Sequence, residues 1–374
     1  LARSAAFIAM PDLPRVRRLI DHGIAAGTHP GAVVVAMLDG SIAAELALGE
    51  AQPGIPLTPE SILLWMSSTK PIGATAILQL VERGALELDA PVSLYLPEFA
   101  GGGKQAVTVR QLLTHTGGFR WTDLRGADFD WQQIIARICA TPLEPGWVPG
   151  QKAGYHPFTS WYILGELIRR IGGRPFERYV RDEIFLPLEM NDCWIGMPRT
   201  RIDEYGSRIA PCFETDKPGN PIQRYSTPDG LAACIPGGNG HGTANQLARF
   251  YEMLRRGGAL NGVRILSAES VHQMTSRQRA GMHDVTFRNT IDFGLGLIIN
   301  SRCYSSEIVP YGYGEFASDA TFGHSGNQSS AAFCDPQYGL VAVVVFTGMP
   351  GEMRHQARMH KVLTALYEDL QLAG

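Results

Sequence analysis

Ser67 and Lys70 are the pair whose types and spacing most directly suggest chemistry. An apolar run, Ile62-Leu63-Leu64-Trp65-Met66, leads into Ser67-Ser68-Thr69-Lys70-Pro71. Helically spaced apolar residues (Ile72, Ala76, Ile77, Leu80, Val81) then continue toward Arg83. Gly84 stands where a helix ends on a left-handed residue. Three positions apart, the serine and lysine side chains fall on one face of the first turn. A serine hydroxyl is a poor nucleophile until a base takes its proton. A lysine held in apolar surroundings loses its charge and can be that base. Taken alone, the same residues equally describe a capping serine beside a solvated lysine. The surrounding elements have to decide.

Those elements belong to a chain of 374 residues, long enough for a large core and two subdomains. Apolar residues make up 45% and charged residues 18%, with a net charge of −3, which describes a globular protein without a nucleic-acid footprint. The longest apolar runs, 33–38 and 341–346, have strand length and cannot span a bilayer. A helix is expected over 11–26, then two β-prone runs, 31–38 and 41–48, joined by the hairpin dipeptide Asp39-Gly40. Residues 130–200 read as helices at 131–139, 159–171 and 175–184. Residues 211–242 form a long Pro- and Gly-rich segment of the kind that is usually functional or disordered. Thr243-Ala244-Asn245-Gln246 reads as a capping box opening a further helix. Strands are expected at 293–300, 329–334 and 340–347, before a long amphipathic helix over 353–370. Strands at both ends with helices between predict an α/β class: an antiparallel sheet flanked by helices, built from 1–80 and 285–374, with a mostly helical domain, 81–284, inserted and a cleft between them.

Four segments spread across the chain resemble the serine β-lactamase and penicillin-binding fold, specifically the class C β-lactamase branch and its carboxylesterase relatives. They are Ser67-Ser68-Thr69-Lys70-Pro71, Leu112-Leu113-Thr114-His115-Thr116-Gly117-Gly118, Pro145-Gly146 through Gly154-Tyr155, and Phe322-Gly323-His324-Ser325-Gly326. The resemblance implies Ser67 as nucleophile, Lys70 as its electropositive proton partner, and Tyr155 as a general base whose phenolate a nearby ammonium would favour. It also implies an oxyanion hole from the main-chain N–H groups of Ser67 and Asn327. His156, Pro157, His324, Ser325 and Gly326 fall at its substrate-binding positions, with Gly326 letting the strand approach substrate closely.

Two positions depart from the β-lactamase pattern. Where lactamases carry Tyr-x-Asn, this chain has Tyr155-His156-Pro157, and where they carry Lys-Thr-Gly it has His324-Ser325-Gly326. Proline offers no side-chain hydrogen bond, and histidine is largely neutral at pH 7 but would gain cation character in acid. A small neutral ester is therefore the expected substrate, cleaved through an acyl-serine. A β-lactamase, a D-amino acid peptidase or amidase, an acyltransferase and a non-catalytic scaffold are the alternatives. No G-x-S-x-G occurs, so nothing supports an α/β-hydrolase. Six cysteines without C-x-x-C spacing read as buried free thiols, and neither metal nor cofactor is expected. Residues 1–10 hold no apolar signal core, so a cytoplasmic location is expected, or a periplasmic or secreted one if a leader was removed.

Overall fold

Asp39 and Gly40 have φ of 48° and 85°, the two positive values that a type I′ turn requires. They join strand Gly31–Leu38 to strand Ser41–Gln52 at the centre of the molecule. The computed structural model describes residues 12–216, 220–305 and 308–373, so the reading of residues 1–10 lies outside the described residues. Gly31–Leu38 pairs on its other side with Leu340–Phe346, placing Val34 opposite Val344. The eight-stranded sheet runs Asp292–Phe293, Ile298–Ile299, Phe322–Ser325, Ser330–Asp335, Leu340–Phe346, Gly31–Leu38, Ser41–Gln52, Ile55–Pro56. Every neighbouring pair in it is antiparallel. Both ends of the chain thus build one sheet, as their composition predicts. The run 293–300 is not a single strand, however. It folds back as a hairpin through Gly296, whose φ of 73° only glycine adopts readily.

Side chains alternate across the sheet, and both faces are covered. Ala32, Val34, Phe333 and Val344 pack with the helices Pro14–Ala25 and Glu352–Asp369. Val33, Val35, Ala332 and Val343 point the other way, into the larger core. A sheet buried on both faces reads as continuous apolar runs, which is why these strands look alike in sequence. The helix Ala244–Arg255 lies on this second face, against Gly31–Leu38 and Leu340–Phe346. It lies inside 81–284, the stretch expected as the inserted domain, and it packs on the sheet. Its capping box is half formed: Thr243 Oγ1 accepts from Gln246 N, but Gln246 Oε1 accepts from Asp192 N instead.

The helix Lys70–Glu82 is buried at every position from Lys70 to Leu80. A helix apolar on all sides belongs inside a protein, and here the Thr159–Gly172 helix packs against it. Among the described residues no helix is long and apolar enough to cross a membrane. The thiols are all free, but Cys303 is exposed and Cys234 half-buried, so only Cys139, Cys193, Cys212 and Cys334 match the buried reading.

Candidate active site

The Pro- and Gly-rich segment ends in the strand Gly240–Gly242, which pairs with Ile62–Leu64 in a small second sheet. Trp65 N–H donates to Gly240 O at 2.8 Å, and its indole N–H to Gly242 O at 3.3 Å. The chain then turns through Met66, a non-glycine residue with φ of 50°. Such strained backbone persists only where its surroundings enforce it. Here Thr69 Oγ1 donates to Met66 O at 2.6 Å and accepts from Gly240 N at 2.8 Å. Ser68 Oγ donates to His324 O at 2.9 Å, and Ser330 Oγ donates to Trp65 O at 2.7 Å. Ser67 is held in a short 3₁₀ turn, Met66–Thr69, with its neighbours fastened and its own side chain at the wall of a cleft.

Lys70 Nζ lies 3.0 Å from Ser67 Oγ, 3.0 Å from Pro157 O and 2.7 Å from Gly237 O. Either protonation state satisfies this geometry. An ammonium donates to all three oxygens; a neutral amine donates to both carbonyls and turns its lone pair to the Ser67 hydroxyl. Burial drives Lys70 well below its ordinary pKa, toward the neutral form. Its nitrogen also sits 5.1 Å from the Tyr155 ring centroid. Burial pushes the Tyr155 phenol well above its ordinary value, although a hydrogen bond to Ser67 pulls the other way. Burial thus works against the phenolate expected at Tyr155 and toward a neutral Lys70.

The family model described as Beta-lactamase matches residues 16–366 of this sequence. The chain belongs to the beta-lactamase family. The crystal structure of a penicillin-binding protein homologue from Caulobacter crescentus superposes with a TM-score of 0.79 at 30% identity, covering 96% of this chain and 97% of that one. A family VIII carboxylesterase structure gives 0.78 at 27% identity, over 97% and 99% of the two chains. Among curated relatives, the esterase/beta-lactamase LipL of Mycobacterium tuberculosis is 27% identical over 84% of this chain and 76% of its own length. The esterase EstB of Burkholderia gladioli is 31% identical over 64% and 63%.

Against the beta-lactamase-family pattern, the remaining expected site residues separate. Pro157, His324, Ser325 and Asn327 line the cleft beside Ser67 and Tyr155, a cavity of about 960 Å³. Ser67 and Asn327, whose main-chain N–H groups were expected to form the oxyanion hole, both line the cleft. His156 is not at the cleft wall. It is buried, its ring nitrogen accepting from Phe119 N and its own N–H donating to His115 Nδ1 at 3.0 Å. Gly326 also serves packing: a Cβ there would stand 2.5 Å from Trp65 O and 2.8 Å from Met66 Cβ. Its bareness lets the strand close on the turn that carries Ser67. His324 stays at the wall, its Nδ1 2.8 Å from Ser325 O, and burial together with Lys70 lowers its pKa to about 3. That works against the cation expected at His324 in mild acid.

The sequence reading missed the supports of this cleft. Gly237 lies in the long Pro- and Gly-rich segment whose length was the only signal. Asp284 Oδ1 accepts from Tyr155 N, Thr286 N and Phe287 N, and its other oxygen is 3.1 Å from the buried Arg279 guanidinium. Arg279 in turn donates to Thr114 O and Ile291 O. Thr114 and Tyr155 lie in segments that the sequence singled out, but no motif tied them to Arg279 and Asp284.

Proposed function

We propose that the protein is a serine hydrolase that cleaves carboxylic esters through an acyl-Ser67 intermediate. The observation that carries this reading is Lys70 Nζ, buried, 3.0 Å from Ser67 Oγ and otherwise bonded only to carbonyls. Lys70 as neutral amine takes the Ser67 proton while Oγ attacks the ester carbonyl. The N–H groups of Ser67 and Asn327 receive the developing oxyanion. Tyr155, with its phenol protonated, hands a proton to the departing alkoxide and recovers one from the lysine ammonium. Water then enters by the same route in reverse and releases the acid.

The ester preference is supported by what the cleft lacks. No lysine or arginine lines it among the described residues, and position 157 supplies no amide. A charge-assisted hydrogen bond to a substrate carboxylate contributes roughly 1.5–3 kcal/mol, about tenfold to a hundredfold in rate or affinity. Its absence weighs on lactams and peptides far more than on neutral esters. The name of EstB points the same way, while that of LipL covers both esterase and beta-lactamase. The test is fluorophosphonate labelling of wild type and Ser67→Ala, with turnover of p-nitrophenyl butyrate against nitrocefin. Labelling confined to wild type and a clear ester preference are expected. Nitrocefin turnover as efficient as that of the ester would transfer the reading to a lactamase.

A further inference from the structure

The cleft wall opposite the usual question of nucleophile and base carries one fixed charge. Glu352 opens the C-terminal helix and lines the cavity. One carboxylate oxygen accepts from Tyr311 O–H at 2.9 Å, the other from Gln356 Nε2 at 2.8 Å. The amide oxygen of Gln356 accepts from Tyr311 N at 2.8 Å, which closes a ring of three residues. Glu352 makes no ion pair among the described residues, and it is the sole Asp or Glu at the wall. Glu352 is exposed at the rim, and Tyr311, whose hydroxyl reaches it, begins an aromatic row along the wall: its ring centroid is 5.6 Å from that of Phe287, which is 4.8 Å from that of Tyr155.

A carboxylate at a helix start has an ordinary explanation, since it complements the positive end of the helix dipole. That accounts for an acid at position 352. It does not account for both oxygens being gripped by residues of the cleft wall. Nor does it explain why a pocket lined mostly by apolar, aromatic and neutral polar side chains keeps one carboxylate. A held carboxylate flanked by aromatic rings is the chemistry that recognises an ammonium group, through Coulomb attraction and the ring quadrupoles.

Resting on the ester-hydrolase reading of the same cleft, we infer that the preferred substrates are esters that carry an ammonium group, selected by Glu352 with Tyr311, Phe287 and Gln356. The same carboxylate repels substrates bearing a carboxylate, which adds a repulsive element to the missing cation at position 324. Tyr311 and Gln356 act through Glu352 by fixing its two oxygens.

Isosteric pairs test this. Butyrylcholine against 3,3-dimethylbutyl butyrate places the charge in the alcohol. The p-nitrophenyl esters of 4-(trimethylammonio)butyrate and 5,5-dimethylhexanoate place it in the acyl group. In wild type, kcat/KM for the cation over its neutral partner is expected to exceed the ratio in Glu352→Gln by about fivefold in at least one pair, and to shrink as salt is raised. A ratio unchanged by Glu352→Gln in both pairs overturns the inference. The neutral esters report on hydrolysis by themselves, so their failure alone strikes the ester-hydrolase reading. In that event, calorimetric titration of both proteins with benzyltrimethylammonium and with neopentylbenzene still decides the charge preference. Equal affinity of wild type and Glu352→Gln for the ammonium sinks it.

Discussion

Burial leaves Lys70 Nζ with two main-chain carbonyls, one hydroxyl and no carboxylate among the described residues, so the charged form has little to hold it. The active species is then the neutral amine, and kcat/KM falls as pH drops through the folded-state pKa of Lys70. Lys70→Met is expected to lower acylation by about 10²–10⁴. Tyr155→Phe should also be slow, yet keep the acid limb of the pH–rate profile where wild type has it, since the phenol is protonated throughout. A limb that vanishes in Tyr155→Phe would make the tyrosine the base. At His324 the sign is equally definite. With its pKa lowered to about 3, it stays neutral through mild acid. The ratio of nitrocefin to p-nitrophenyl butyrate turnover should therefore be flat from about pH 8 to about pH 5. A rise toward acid would show a cation forming at the wall.

Two elements meet at the nucleophile, and small changes at their contact should be felt in activity. The strand Phe322–Ser325 ends at Gly326, where a Cβ would press on Trp65 O, Met66 Cβ and Ser330 Oγ. Gly326→Ala has backbone on one side and the strained Met66 on the other, so neither can yield cheaply. A loss of about 1–3 kcal/mol in urea denaturation is expected, together with a fall in kcat as Ser67 and Asn327 move apart. The loop at 284–287 is the second contact. Asp284→Ala strands the buried Arg279 and frees three N–H groups, among them that of Tyr155. Breaking a buried ion pair on one side costs about 3–5 kcal/mol. Asp284→Asn keeps an acceptor for those N–H groups and should retain more of both stability and kcat. Equal losses in the two variants would mean that the carboxylate's charge, not its hydrogen bonding, holds the loop.

At the scale of the molecule, two neighbouring inner strands of the sheet come from opposite ends of the chain. Gly31–Leu38 cannot gain its partner Leu340–Phe346 until everything between has been brought round. That ordering costs loop-closure entropy, which makes closure of the sheet a late, cooperative event. Native-state amide exchange should be slowest in these two strands. We place Ala244–Arg255 in the same cooperative unit, because it lies across both of them. Its amides should exchange with the sheet and not with the Trp131–Ala140 helix. Exchange of Ala244–Arg255 together with Trp131–Ala140 would return the boundary to residue 284.

Local signals determined a good deal by themselves. Asp39-Gly40 between two β-prone runs pointed to a type I′ hairpin turn, which needs positive φ at both residues. Ser67 and Lys70 had to share a face because three residues make most of a helical turn. Alternation and apolar length were enough to predict a sheet built from both termini, since strands buried on both faces have no polar side to show. What local signals could not carry was anything that depends on distance through space. Whether Lys70 is neutral depends on Pro157 O and Gly237 O, two carbonyls whose own side chains are irrelevant to the contact. The tyrosine was legible as a site residue, but the direction of its pKa shift was not, because burial is a property of the packed molecule. His156 and His324 look interchangeable in sequence, yet packing turns one toward the Phe119 backbone and the other to the cleft wall. Glu352 reads as an ordinary helix start with an i,i+4 partner in Gln356; only the approach of Tyr311 sets it, still exposed, at the wall of a binding cleft.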